Sequence, residues 1–187
     1  MFGSRVINVG KVDYTGFEVE ARAILSDYLS IDGTFGYVDV NYKKFPIPAS
    51  GAAGAPVVDI SSIARASYTS AYTGNIAANL RLPVGDSGTT FNARVGYTYE
   101  SQKYSFNNSI STPFNEQLKS DPKKQIDAQI SIDGIKTGAG EAQIMFWGKN
   151  LTNRHEFARG IDFGALGYAG GFFADPRTYG MTIGLKF

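Results

Sequence analysis

Cysteine is absent, and only one histidine, His155, occurs among the 187 residues. The absence of cysteine excludes disulfide frameworks, thiol catalysis and thiolate metal sites. A single histidine excludes a metal site built from several histidines of one chain. The formal net charge is only +1, so charge gives no case for binding nucleic acid or an anionic membrane surface.

The sequence also lacks any run of about 18 apolar residues, which excludes a helical membrane span. The mean hydropathy of -0.16 is that of a soluble protein. Such an average does not detect strands that cross a membrane, because only their alternate residues are apolar. The segment Met1-Phe2-Gly3-Ser4-Arg5 has no charged region followed by an apolar one. We therefore expect the export signal of an envelope protein to be cleaved or to lie upstream.

What the sequence does contain is alternation of apolar and polar residues, in a chain with 22 glycines and 13% aromatic residues. A period of two indicates β-strands with one apolar side. All charged residues within the alternating spans lie in the non-apolar set. The seven predicted strands are Phe17–Leu25, Leu29–Val38, Thr73–Leu82, Phe91–Glu100, Gln125–Asp133, Ala142–Lys149 and Thr178–Phe187.

Connections between these spans alternate in length. The short ones are Ser26–Tyr28, Pro83–Gly88 and Gly134–Gly140. The long ones are Lys44–Ser70, Ser105–Lys124 and Thr152–Pro176. This alternation is typical of outer-membrane β-barrels, whose periplasmic turns are short and whose outer loops are long. The first long connection contains Pro46–Pro56, which is rich in glycine, alanine and proline, and we expect no regular structure there.

Aromatic residues occur where the two interfacial girdles of a barrel are expected. We predict an outer girdle and a periplasmic one. The outer girdle comprises Tyr42, Phe45, Tyr104, Phe106 and Tyr179. The periplasmic girdle comprises Tyr28, Phe91 and Phe187.

The last nine residues resemble the C-terminal signal of outer-membrane barrels, which ends in an aromatic residue and is recognised by the barrel assembly machinery. The matching positions are Tyr179, Gly180, Ile183, Leu185 and Phe187. A final strand of this kind can offer its backbone edge and one apolar face to the machinery.

Three further segments resemble TonB-dependent outer-membrane receptors. Asn150-Leu151-Thr152 is similar to the segment before the final loop of that family, and Pro176-Arg177 to the opening of its last strand. Near the start, Asn8-Val9-Gly10-Lys11 and then Gly16-Phe17-Glu18-Val19-Glu20 are similar to another family strand. These motifs occur in the family's order and span nearly the whole chain.

The resemblance implies an all-β fold, namely about the last seven strands of a 22-stranded antiparallel transmembrane β-barrel. Residues 1–187 would be the C-terminal part of the barrel, without the N-terminal plug domain. The implied function is TonB-dependent uptake of a siderophore, another metal chelate or a carbohydrate across the outer membrane of a Gram-negative bacterium. No cofactor is implied, and the chain by itself is expected not to transport.

The implied partners are outer-membrane lipid and the barrel assembly machinery. TonB is reached only through the missing plug domain, and no nucleic acid is bound. Two alternatives remain open. A complete small barrel, acting as a passive pore or structural protein, needs an eighth strand from Gly3–Gly10 or Val57–Ala64. A soluble β-barrel or sandwich would have the same alternation, with its apolar side turned inward.

Residues that could carry chemistry are scattered, and we do not expect an enzyme. His155 is interpreted as a solvated loop residue, and Asp162 and Asp175 as too far apart to indicate a metal. The glycine-rich Gly164–Gly171 lacks the context of a phosphate-binding loop and is predicted to be a flexible outer loop. Glu18, Glu20 and Arg22 are interpreted as a hydrated charge cluster on the barrel wall rather than an acid–base pair.

Overall fold

The computed structural model describes residue 8 and residues 10–49, 54–85 and 88–187. These residues form β-strands and one short 3-10 helix at Gly164–Leu166. In this part of the chain, no helix is long and apolar enough to cross a membrane. The strands are β1 Lys11–Ile24, β2 Leu29–Lys44, β3 Pro46–Pro48, β4 Val57–Asp59, β5 Tyr72–Val84, β6 Thr89–Glu100, β7 Lys123–Thr137, β8 Gly140–Lys149, β9 Phe157–Phe163, β10 Tyr168–Phe173 and β11 Thr178–Lys186.

Seven long strands form one antiparallel sheet in the order β1-β2-β5-β6-β7-β8-β11. They contain the seven alternating spans except for the terminal residues Leu25 and Phe187, so the all-β, antiparallel prediction is confirmed. Each long strand pairs with the next long strand along the chain. Within the described residues β1 and β11 do not pair with each other, and the sheet is open.

The register of the sheet brings the apolar sets together, because residues that pair across strands lie on the same face. Ile130 of β7 pairs with Ala93 of β6 and Phe146 of β8. Val95 of β6 pairs with Ala78 of β5 and lies on the same side. The same holds from β1 to β11, so the seven apolar sets form one continuous surface, the apolar face. The opposite side is the polar face.

The apolar face is exposed rather than folded around a core. The exposed fractions are 58% for Phe17, 48% for Val95, 47% for Ile130 and 60% for Ile183. These four side chains, taken from four strands, therefore do not converge on a shared dry centre. No second layer of the described chain covers this surface.

The connections lie at opposite ends of the sheet because the strands are antiparallel. At the turn end are the short connections 25–28, 85–88 and 138–139. At the loop end are the long ones, 45–71, 101–122 and 150–177. Short and long connections thus alternate along the chain as predicted, and the two kinds lie at opposite ends of the sheet.

One predicted turn is wrong. Gly134–Gly140 was expected to connect two strands, but β7 continues to Thr137 through an irregularity between Ile132 and Ile135. Gly134 has a φ of +71°, a left-handed conformation that glycine adopts without steric cost. The extra residue of a β-bulge lets the strand resume its pairing. Only residues 138–139 remain as the connection.

The long connections contain regular structure that the sequence did not indicate. In the proline-rich segment, β3 pairs with β4, contrary to the expectation of no regular structure there. The predicted flexible loop Gly164–Gly171 is part of a hairpin of β9 and β10 joined by the 3-10 helix. Backbone hydrogen bonds between segments far apart in sequence form these pairs, and local composition does not predict them.

An eighth strand from Val57–Ala64 is not formed. Within it, β4 pairs with β3 in a separate two-stranded sheet rather than with an edge of the main sheet. Of the other candidate, Gly3–Gly10, only Asn8 and Gly10 lie within the described residues.

The predicted outer girdle is wrong for Tyr42 and Phe45. Phe35 of β2 lies on the apolar face. Side chains alternate between faces along a strand, and Tyr42 is an odd number of residues from Phe35, so Tyr42 lies on the polar face. Its ring stacks on that of Phe45 at 5.2 Å. Phe45 is almost fully buried with Ile60 and Ala64 in a small apolar cluster. These two rings stabilise the loop end instead of facing outward.

Candidate functional site

Paired polar side chains cross the middle of the polar face. Arg94 of β6 donates to both carboxylate oxygens of Asp32 of β2, at 2.9 and 3.1 Å. Asn79, on the strand between them, contacts both of these side chains. The three side chains share one face because the register places Asn79 opposite Arg94. A shallow depression of about 580 Å³ lies beside this network, toward the turn end.

A second charged cluster lies at the loop end of the polar face. Glu100 accepts hydrogen bonds from Lys103 at 2.9 Å and from Lys123 at 3.3 Å. Both lysines line a cavity of about 380 Å³, whose other wall comes from Phe157 and Phe173 of the last loop. The cavity therefore combines charged groups from the sheet with aromatic groups from the loop.

The first long connection is held by Asp59. Its Oδ1 accepts the backbone N–H of Phe45 at 3.0 Å and of Ser61 at 2.9 Å. These two backbone hydrogen bonds hold the pKa of Asp59 below its usual value, and the one from Phe45 has the larger effect. Hydrogen bonds to a charged carboxylate favour the charged form.

Acidification should therefore loosen the hairpin of β3 and β4. Because the pKa of Asp59 is lower in the folded state, its charged carboxylate stabilises the fold at any pH above the unfolded-state pKa. This stabilisation is lost below about pH 4, as the pH falls through the folded-state pKa. We expect the amide proton signal of Phe45 to shift in this range in NMR spectra. Asp59→Asn keeps an acceptor oxygen but cannot titrate, so it should remove the acid-dependent step. A step of the same size in Asp59→Asn would contradict the assignment.

The second and third long connections pack on each other through buried polar groups. The Ser105 hydroxyl accepts the N–H of Gly160 at 3.1 Å and donates to the carbonyl of Leu118 at 2.9 Å. Within the second connection, the side-chain oxygen of Asn115 accepts the N–H of Phe106 at 3.1 Å, and its side-chain nitrogen donates to the carbonyl of Phe106 at 3.0 Å. Such side-chain hydrogen bonds provide partners for backbone N–H and carbonyl groups of the loops, which are not paired with a neighbouring strand.

The two motif segments of the last loop meet at its base. Asn150 is buried, and its side-chain amide donates to the carbonyls of Arg154 and Asp175, both at 3.0 Å. Its oxygen accepts the N–H of Arg154 at 3.0 Å. Asn153 accepts the N–H of Arg177 at 3.2 Å. We call this arrangement of Asn150 and Asn153 with the loop ends the loop clasp.

The other motif positions lie around the clasp with smaller roles. The N–H of Leu151 donates to the carbonyl of Ile126 at 2.8 Å. Thr152, Pro176 and the side chain of Arg177 are exposed. The structure places these motif positions at the base of the last loop, where Asn150 makes most of the contacts.

Glu156 belongs to this region and was missed at the sequence level. Its carboxylate is buried and accepts the N–H of Lys124 at 2.9 Å and the guanidinium of Arg154 at 2.8 Å. It therefore ties the last loop to the start of β7. Its position directly after Arg154 and His155 is a weak signal, because adjacent charges are common in solvated loops.

The predicted C-terminal signal lies along β11, at one edge of the main sheet. Tyr179, Ile183, Leu185 and Phe187 have exposed side chains, and the first three lie on the apolar face. Gly180 lies on the polar face under the indole ring of Trp147. The clasp residues are near Tyr179, whereas Phe187 is at the opposite end of the strand. The five residues therefore form a strand edge rather than a pocket.

Gly180 is predicted to be more sensitive to substitution than Gly184 on the same strand and face. A Cβ at position 180 would be 2.5 Å from the Trp147 ring, whereas one at position 184 would be 3.5 Å from Gln143. Gly180→Val should cost roughly 1–3 kcal/mol through overpacking. Gly184→Val should change stability little. Urea unfolding of both variants in lipid or detergent measures the difference, and equal midpoints would contradict the packing of Trp147 on Gly180.

The residues considered for a metal site are dispersed. His155 contacts only Asn153, at 3.4 Å, among the hydrogen bonds of the described residues. Asp162 accepts the N–H groups of Phe114 and Gly164, at 2.9 and 2.7 Å, and thus holds the loop fold. Within residues 8, 10–49, 54–85 and 88–187, no three acidic or histidine side chains are grouped to hold a metal ion.

No protein-family model matches the chain, and no curated protein matches it.

Proposed function

We propose that this chain is part of the wall of an outer-membrane β-barrel, with its apolar face in lipid and its polar face lining a wet interior. The observation that carries the proposal is the register, which joins seven alternating sets into one exposed apolar face. Soluble monomers rarely expose contiguous apolar patches larger than a few hundred Å². A sheet face of seven strands is far larger than that.

The open edges support a barrel that is larger than this chain. In lipid, an unpaired strand edge leaves backbone groups without partners, each at a cost of several kcal/mol. The edges β1 and β11 do not pair with each other within the described residues, so strands from the rest of a longer protein would close the barrel. We place the chain at the C-terminal end of such a barrel because of the β11 motif.

Among such barrels, we propose a TonB-dependent receptor that takes up a siderophore, another metal chelate or a carbohydrate. Support comes from the similarity of the segments at Asn150 and Pro176 to that family and from their meeting in the loop clasp. The mixed charged and aromatic cavity at the loop end is suited to a polar ligand arriving from outside. A plug domain elsewhere in the protein would provide the contact with TonB.

The passive-pore alternative has less support. It requires an eighth strand in a closed sheet, and Val57–Asp59 pairs outside the main sheet. A soluble barrel or sandwich requires the apolar set to be buried, and this set is exposed in Phe17, Val95 and Ile183.

Cell fractionation tests the membrane assignment. The protein, expressed from its complete reading frame, should sediment with outer membranes and be released by detergent but not by alkaline carbonate. A monodisperse protein in buffer without detergent would overturn it. Uptake of ligand that stops when the proton gradient is dissipated would then separate the receptor from a passive pore.

A further inference from the structure

The hairpin of β9 and β10 has one docked side. Gly160 packs on Leu118, and its N–H donates to the Ser105 hydroxyl at 3.1 Å. Asp162, on the same side of the hairpin, accepts the N–H of Phe114 at 2.9 Å. These contacts fix the hairpin to the second long connection and so hold the position of its other side.

The other side of the hairpin is an exposed apolar surface with an opening at its centre. Register pairs place its residues on one face, and we call this surface the aromatic platform. It comprises Arg159, Ile161, Phe163, Tyr168, Gly170 and Phe172. The rings of Phe163 and Tyr168 stack at 4.9 Å at one end. At Gly170, between the two ends, a Cβ would meet nothing within 4 Å.

A cation lies at the other end of the platform. The guanidinium carbon of Arg159 lies 5.1 Å from the centre of the Phe172 ring. Arg159 is exposed, and among the described residues no carboxylate forms an ion pair with it. The nearest acidic residue in the hairpin sequence, Asp162, belongs to the docked side. The guanidinium is therefore available to an anion that lies on the platform.

We propose that the aromatic platform binds a planar aromatic ring that carries a carboxylate. Exposed rings favour offset stacking of another ring, and the open space at Gly170 lets a flat group approach the strands. An arginine held over a ring pairs a carboxylate in a fixed plane. The platform would recognise this group of the ligand at the loop end. Its role in uptake rests on the proposed receptor function.

Fluorine NMR with 4-fluorobenzoate as the probe tests the platform in the detergent-purified protein. Two analogues separate charge from stacking. 4-Fluorobenzamide keeps the aromatic ring but is neutral, and 4-fluorocyclohexanecarboxylate keeps the carboxylate but has a saturated ring. We expect 4-fluorobenzoate to bind and both analogues to bind at least about threefold more weakly, since stacking and charge each contribute.

Variants assign the binding to this surface. Gly170→Val fills the central opening and should abolish binding. Ala169→Val introduces the same side chain at the neighbouring position, on the docked side, and should not. Arg159→Gln should weaken binding about tenfold, the expected loss of one charge-assisted hydrogen bond. Arg65→Gln is its control, because Arg65 also lies over a ring, that of Tyr104.

The outcomes are separable from those for the proposed function. Absence of 4-fluorobenzoate binding, or binding that Gly170→Val leaves unchanged, overturns the platform even if the protein fractionates with outer membranes. Binding that is lost in Gly170→Val supports the platform even if the protein proves soluble. In that case the membrane assignment alone fails.

Discussion

Ile130→Arg is expected to prevent most of the protein from assembling in the membrane. Ile130 lies in the middle of β7 on the apolar face, where its neighbours across the sheet are Ala93 and Phe146. If this face is in lipid, an arginine near the bilayer midplane costs roughly 2–4 kcal/mol. The heat-resistant folded fraction in outer membranes, seen as a gel shift before boiling, measures the loss.

The adjacent residue provides the matched control. Ser131 lies on the polar face opposite Asn92, so Ser131→Arg should place the same charge in a wet interior. Its cost should be below about 1 kcal/mol, as for most surface substitutions. If both variants assemble equally well, the apolar face is not in lipid. If Ser131→Arg is the more damaging, the two faces have been assigned the wrong way round.

Asn150→Gly should release the last loop from the sheet. The substitution removes three side-chain hydrogen bonds, to the backbone of Arg154 and Asp175, at the partly buried base of the loop. We expect a loss of roughly 2–4 kcal/mol in the free energy of unfolding. Glycine is chosen because Asn150 has a φ of +49°, so the backbone itself is not strained by the change.

Asn153→Gly is the control for this substitution. Asn153 also has a positive φ, of +51°, but it is exposed and makes one clasp bond, to Arg177. Its loss should cost less than about 1 kcal/mol. Urea unfolding gives both free energies, and limited proteolysis within 155–175 shows whether the loop opens first. Equal losses for the two variants would mean that the clasp does not depend on Asn150.

Strand assignment needed little more than alternation. A residue in a strand has its neighbours on the opposite face, so a period of two marks a strand without knowledge of its partner. The boundaries were less accurate. Beyond Tyr37, β2 continues to Lys44 although its apolar alternation ends, because pairing with β1 continues there.

At the base of the last loop, the only guide in the sequence was the resemblance of short motifs. Similarity drew attention to Asn150 and Pro176, yet the contacts that join them link residues 25 positions apart. Glu156 and the burial of Phe45 carried little local signal, since both depend on segments brought together from elsewhere in the chain.

Periodicity, then, was sufficient for the number of long strands and for their two chemically different sides, because each follows from neighbours along the chain. Register, the shared apolar face and the docking of the long connections required the folded chain, because each joins side chains or backbone groups from different strands. The aromatic platform belongs to this second kind. Its rings are separate in the sequence and adjacent only through the pairing of β9 with β10.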